Sequence, residues 1–139
     1  MKRTIFGIVG FFALLLASSA FTERITAPAV GYMAPALSVS NDDSSEEIAS
    51  LSALRGNYVL LSFWDSSRAD SRLAMNQYQH WFDSRLSATP DHKIAMIGVN
   101  LDSNTRMFEE IVKRDRLNRA NQFNIAGEKA SFVVENFQL

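Results

Sequence analysis

Apolar residues along this chain fall into blocks of differing period, and the blocks predict its elements. The clearest is Tyr58-Val59-Leu60-Leu61-Ser62-Phe63-Trp64, a nearly continuous β-rich run. Runs of that kind mark strands covered on both faces, so it predicts a central strand. Short polar residues from Asp65 to Asp70 then favour a turn and the start of a helix. From about Ser71 to Leu86, Ala74, Tyr78, Trp81 and Phe82 recur at helical spacing and predict a helix with that stripe buried. Pro90 closes the connection, and Ile94 to Asn100 predicts a second buried strand. Asp102, Ser103 and Asn104 offer caps for a helix carrying Met107, Phe108, Ile111 and Val112. Two apolar strands alternating with two amphipathic helices make a β-α-β-α pattern, which implies a parallel sheet with right-handed crossovers.

Weaker signals flank this unit. Leu37 to Ser40 and Ile48 to Ser50 predict two short strands around the polar stretch Asn41 to Glu47. That stretch reads as a solvated loop, since it lacks the alternating ligands and central glycine of a calcium loop. A turn of helix is expected at Ser52 to Leu54, with a break at Gly56. After Leu117, Asn121 to Asn124 predicts a short extended piece and Ala130 to Phe137 a helical turn or two. No third long apolar strand follows, and the chain has no internal repeat.

The first residues have a different grammar. Lys2 and Arg3 precede the apolar run Ile5 to Leu16, and Ala17, Ser18, Ser19 and Ala20 follow. This is the layout of a secretory signal peptide over residues 1–20, with cleavage expected after Ala20. The run is shorter than the ~20 residues that span a bilayer, which disfavours an uncleaved anchor. Residues 21–30, ending just before Gly31, read as an irregular leader, and residues 31–139 as one domain. The expectation is therefore an exported protein of bacterial type, periplasmic or secreted, with no stable membrane span once the leader is cut.

Composition narrows the chemistry. The 139 residues include no cysteine, two histidines, and 14 basic against 15 acidic side chains. There is thus no disulfide framework, thiol nucleophile or thiolate metal site, and no cofactor or metal is implied. A near-neutral charge also argues against nucleic-acid binding. The histidines, His80 and His92, are poorly placed to activate a hydroxyl in the Asp65–Asp70 turn.

In open α/β sheets the working site lies at the carboxyl ends of the parallel strands. Here that is Trp64-Asp65-Ser66-Ser67-Arg68-Ala69-Asp70-Ser71-Arg72. Around it, Gly31-x-x-Ala34-Pro35-x-Leu37 and Leu51-Ser52-x-Leu54-Arg55-Gly56-x-Tyr58-Val59-Leu60-Leu61-x-Phe63-Trp64 resemble exported thioredoxin-like domains of the TlpA/ResA (redoxin) type. The likeness is in good register from Gly31 to Asn100 and looser to Leu139. It implies an α/β fold, the thioredoxin-like three-layer sandwich, and a Cys-x-x-Cys-Arg motif after the Phe-Trp pair.

The departures decide what the resemblance can mean. The two cysteine positions fall on Arg68 and Ser71, and only Arg72 after them matches. Exchange needs a thiolate attacking a disulfide, and neither an alcohol nor a guanidinium forms the mixed disulfide. The resemblance also implies a final hairpin and last helix beyond the segment that Phe137-Gln138-Leu139 matches, so the domain is expected to be incomplete at its C-terminus. A shortened gene product, a fragment, and completion by a partner's strand all stay open, and an uncovered edge would invite strand pairing.

Asp65 and Asp70 are expected to complement the helix start and pair with Arg68 or Arg72, and the serines to act as caps. The exposed N–H groups of that helix, with Trp64, Arg68 and Arg72, form the candidate binding site for a protein or peptide. The sequence thus suggests a redox-inactive, non-catalytic binding module. The alternative is a degenerate relative of thiol-disulfide oxidoreductases with no present activity; a serine or carboxylate hydrolase ranks below both.

Overall fold

The computed structural model describes residues 30–40, 49–88 and 93–139. The expected signal peptide, most of the leader, the loop Asn41 to Glu47, Pro90 and His92 lie outside these residues.

A short antiparallel pair comes first: β1 (Ser38–Val39) and β2 (Ala49–Ser50), with Ser38 opposite Ser50. Leu51 to Gly56 then forms turns rather than the expected turn of helix, and Gly56 takes a φ of +87° that suits a residue without a Cβ. The main unit follows as β3 (Tyr58–Trp64), α1 (Ala69–Ala88), β4 (Ile94–Asn100), α2 (Thr105–Arg114), a short 3-10 turn, β5 (Gln122–Asn124) and α3 (Gly127–Phe137). These strands form a parallel sheet in the order β3-β4-β5, with Tyr58 beside Ile94 and Asn100 beside Asn124. The β-α-β-α alternation is therefore present. The central strand is β4, however, and among the described residues β3 has a strand partner on one side only.

Strand alternation splits the core into two halves. Ile97 and Val99 face one side, where Leu37, Val39, Phe123, Ile125, Val133 and Phe137 bury them. Met96 faces the other, among Met75 and Phe82 of α1 and Phe108, Ile111 and Val112 of α2. Helices thus cover both faces of the sheet, which gives the three layers. Gly98 is required by a close approach: a Cβ there would lie 2.7 Å from the amide carbon of Gln122, itself fully buried.

The apolar stripe of α1 is rotated by about one residue from its expected place. Met75, Gln79 and Phe82 are the buried positions, while Tyr78 and Trp81 are 44% and 45% exposed. The cause is Gln79, a polar residue that reads as surface but spans from Asp83 to the backbone N–H of Asn118 inside the fold. On α2 the side chain of Asn104 caps the helix by accepting from the N–H of Met107 at 3.1 Å. Met107 is exposed, whereas the other three expected core residues of that helix are buried.

Candidate functional site

The site is built where the parallel strands end. After Trp64 the chain must leave the sheet and enter α1, and short polar residues make that turn. Asp65 Oδ1 accepts from the N–H of Ser67 at 2.7 Å and from its hydroxyl at 2.6 Å. The N–H of Asp65 donates to Ser71 Oγ at 3.0 Å. Ser71, at the expected second thiol position, therefore ties the first turn of the helix back to the strand end.

A buried polar network lies beneath this turn. Asn100 ends β4 at 0% exposure, and Ser66 is 1% exposed. Asn100 Nδ2 donates to Ser66 Oγ and Asp102 Oδ2, both at 2.9 Å, while the N–H of Ser66 reaches the same carboxylate oxygen at 2.7 Å. Asn100 Oδ1 accepts from Asn124 Nδ2 at 2.8 Å and from the N–H of Asp102 at 3.2 Å. Asn124 in turn pairs with the Thr105 hydroxyl at 2.9 Å. Three strand ends and the start of α2 are thereby joined through side chains. Buried polar groups gain by such mutual satisfaction, and a network of this kind fixes one arrangement.

Arg68, at the expected first thiol position, lies outside this network. It pairs with Asp70 at 2.8 Å, with both side chains about two thirds exposed. A pair so open to water is worth little in stability. Its hydrogen bond nevertheless holds the Asp70 carboxyl below the ordinary range and raises the guanidinium of Arg68. Asp65 is also held low, chiefly by the Ser67 hydroxyl. Arg72 turns inward, donating from Nη1 to the carbonyl of Ser66 at 3.3 Å.

The three residues of the candidate binding site thus take different places. Trp64 is 3% exposed, with its ring centred 5.9 Å from that of Phe108, so it belongs to the core and presents no surface to a ligand. Arg68 stands on the rim. Arg72 borders a shallow groove of about 390 Å³ between α1 and the end of α2, with Leu73, Asn76, His80 and Arg114 also lining it. Leu73 is 62% exposed there, an apolar side chain offered to solvent. A larger concavity of about 510 Å³ lies by Ser38, Thr105 and Lys129, bordered by the Glu109–Arg119 ion pair.

The chemistry available in the turn is limited. The hydroxyls of Ser66 and Ser71 accept hydrogen bonds from an amide side chain and a backbone N–H, and among the described residues no imidazole is hydrogen-bonded to either. Asp65 is committed to Ser67 and Asp70 to Arg68. Among the described residues no group of three or more His, Asp or Glu side chains gathers in a way that would hold a metal. No helix among them is long and apolar enough to cross a membrane.

Sequence reasoning missed Asn100, Asp102 and Asn124 as parts of the site. Asn100 reads as the end of an apolar strand and Asp102 as a helix cap. The available signal is an Asn at the carboxyl end of each of two strands that sit side by side.

No protein-family model matches the chain, and no curated protein matches it by sequence. Solved structures do. The thioredoxin domain of a thiol-disulfide oxidoreductase from Bacteroides vulgatus superposes with a TM-score of 0.65 at 23% identity, over 81% of this chain and 76% of that one. A thiol:disulfide interchange protein from a Bacteroides species gives a TM-score of 0.64 at 21% identity, over 82% and 70%. A thioredoxin-like protein from Parabacteroides distasonis is 31% identical over 60% of this chain and 59% of its own, with a TM-score of 0.51. The fold is therefore thioredoxin-like, and a chain whose structural neighbours include thiol-disulfide oxidoreductases carries no cysteine of its own.

Proposed function

We propose that this chain is an exported, non-catalytic module that captures an extended segment of a protein or peptide at the β3-α1 turn and the adjoining groove. The observation that carries this reading is the state of the turn. With Arg68 and Ser71 where thiols are expected, the turn still holds a single arrangement through Asp65, Ser66, Ser71, Asn100 and Asp102. Ordered recognition elements lower the entropy cost of binding, and extended peptides are commonly held by main-chain hydrogen bonds with pockets for side chains. Arg68 on the rim, Arg72 at the groove mouth and the exposed Leu73 suit a segment that combines an acidic residue with an apolar one. Export is inferred from the layout of residues 1–20.

The test is selection of displayed peptides on the purified chain, repeated with the double variant Arg68→Ala, Arg72→Ala. Loss of the selected binders is the expected result; unchanged capture refutes the site. Mass determination of the chain recovered from a bacterial periplasm should show a new N-terminus at Phe21.

A second reading, an inactive relative of thiol-disulfide oxidoreductases, is favoured by structural neighbours of that class together with the absence of cysteine. A single cooperative thermal transition in the purified chain would count against it.

A further inference from the structure

We infer that His80 makes the peptide capture proposed above responsive to acid: once protonated, it supplies a second positive charge to an acidic residue of the captured segment. The inference rests on that reading and adds to it the regulation of the site and the spacing of the residues recognised.

The starting observation is the charge of the groove, wall by wall. Arg72, Asn76 and His80 recur at helical spacing along one face of α1, and Arg114 and Asp115 line the groove from the end of α2. The walls are tied together, since Asn76 Nδ2 donates to the carbonyl of Asp115 at 3.0 Å. Arg114 is neutralised in place, because its Nε and Nη2 donate to the two carboxylate oxygens of Asp115 at 2.8 and 3.3 Å. Arg72 gives one bond to a carbonyl, that of Ser66, and has no carboxylate partner among the described residues. His80 is exposed and makes no hydrogen bond or ion pair among those residues. Asp83, one turn further along α1, is occupied by the amide of Gln79 at 2.9 Å. With a neutral imidazole the groove therefore carries one uncompensated positive charge, and with an imidazolium it carries two.

Imidazole is the side chain whose charge ordinarily changes between pH ~5 and ~8. Arginine and an ionised carboxylate keep theirs throughout that range. A carboxylate brought beside His80 favours the imidazolium, so binding takes up a proton. Affinity is thus gained below the ordinary imidazole value of ~6.5 and lost as pH rises through it. The window closes on the acid side, where a glutamate of the captured segment itself protonates near pH ~4.3. An ion pair open to water is worth a factor of about two to five in binding.

The same geometry sets the spacing within the segment. Arg72 and His80 are eight residues apart on α1, which is ~12 Å at ~1.5 Å per residue. An extended chain rises ~3.3 Å per residue and turns alternate side chains to one face, so residues i, i+2 and i+4 reach ~13 Å along the groove together. Acidic residues at i and i+4 then meet Arg72 and His80, and an apolar residue at i+2 lies against the exposed Leu73.

The probe is a heptapeptide, capped at both ends, reading glycine, glutamate, serine, leucine, serine, glutamate, glycine. Amide chemical shifts of the isotope-labelled chain, as recovered from the expressing cell, are followed during titration with it at pH 4, 5.5 and 7.5 in low salt. The same spectra report that each variant is folded. Shifts should centre on Arg72, Leu73 and His80, with a Kd at pH 5.5 about two- to fivefold below that at pH 7.5 and rising again at pH 4. His80→Gln should remove the difference between pH 5.5 and 7.5, and His80→Lys should keep the tighter value at both. The peptide with glutamine at both acidic positions should bind without regard to pH. Equal Kd values at pH 5.5 and 7.5 overturn the regulation and leave peptide capture standing, as does a difference that survives in His80→Gln. A peptide with its glutamates side by side should bind more weakly, and equal binding refutes the spacing. Shifts absent at every pH, or confined to another surface, overturn both the regulation and the capture.

Discussion

Replacing Asn100 by aspartate tests whether the buried network holds the strand ends together. The change keeps shape and exchanges one N–H₂ donor for an oxygen. In the structure that donor lies 2.9 Å from Asp102 Oδ2 and 2.9 Å from Ser66 Oγ, at a residue with no exposure. Asn100→Asp therefore opposes two carboxylates in a buried site, and one of them must take up a proton. A carboxyl kept neutral in the folded state loses stability as pH rises above its unfolded value near 3.9, by about 1.4 kcal/mol per pH unit, until its raised folded pKa is reached. Buried carboxyls beside a like charge are raised by as much as ~3–5 units, so the penalty is about 1.5 kcal/mol at pH 5 and about 4 kcal/mol at pH 7. Against the ~5–15 kcal/mol of an ordinary domain, the variant should be well folded at pH 5 and marginal at pH 7. Below pH 5 the protonated group can donate to Asp102 and restore the lost hydrogen bond. Urea titrations of the parent and variant at pH 5, 6 and 7 measure this directly. A stability difference below about 1 kcal/mol that does not grow with pH would refute the proposed role of Asn100.

Two further changes probe the fold and the turn. Gly98→Ala should destabilise by about 1–3 kcal/mol, because its methyl group meets the fully buried amide end of Gln122, which must shift within the core. Combining it with Gln122→Ala should cost less than the sum of the two single changes, as read by thermal melts. Asp65 has a folded pKa below its ordinary value, so its contribution is present at neutral pH and fades as pH falls below about 4. Asp65→Asn should therefore flatten the acid limb of the unfolding profile and leave the alkaline side unchanged.

Much of the fold was legible because local chemistry and burial agree there. Ile94 to Asn100 is apolar and is the central strand, and Asn104 is both a good cap and the observed cap. The readings failed where one residue's chemistry ran against its position. Gln79 is polar and buried, which rotates the face of α1 and moves Trp81 outward. Tyr58 to Trp64 has the composition of a covered strand, and among the described residues it pairs with β4 alone, because neighbour order depends on pairing across the sheet and not on the strand's own residues. Of the site, the turn and its caps were visible in Asp65 to Ser71. The network below was not, because Asn100, Asp102 and Asn124 are brought together only by the register of β4 and β5.

The closure of the β3-α1 turn by Ser71 and Asn100 has a consequence for where such a module can work. Oxygen and amide groups have a single valence state under biological conditions, so this turn keeps one shape whether its surroundings are rich in oxidant or in glutathione.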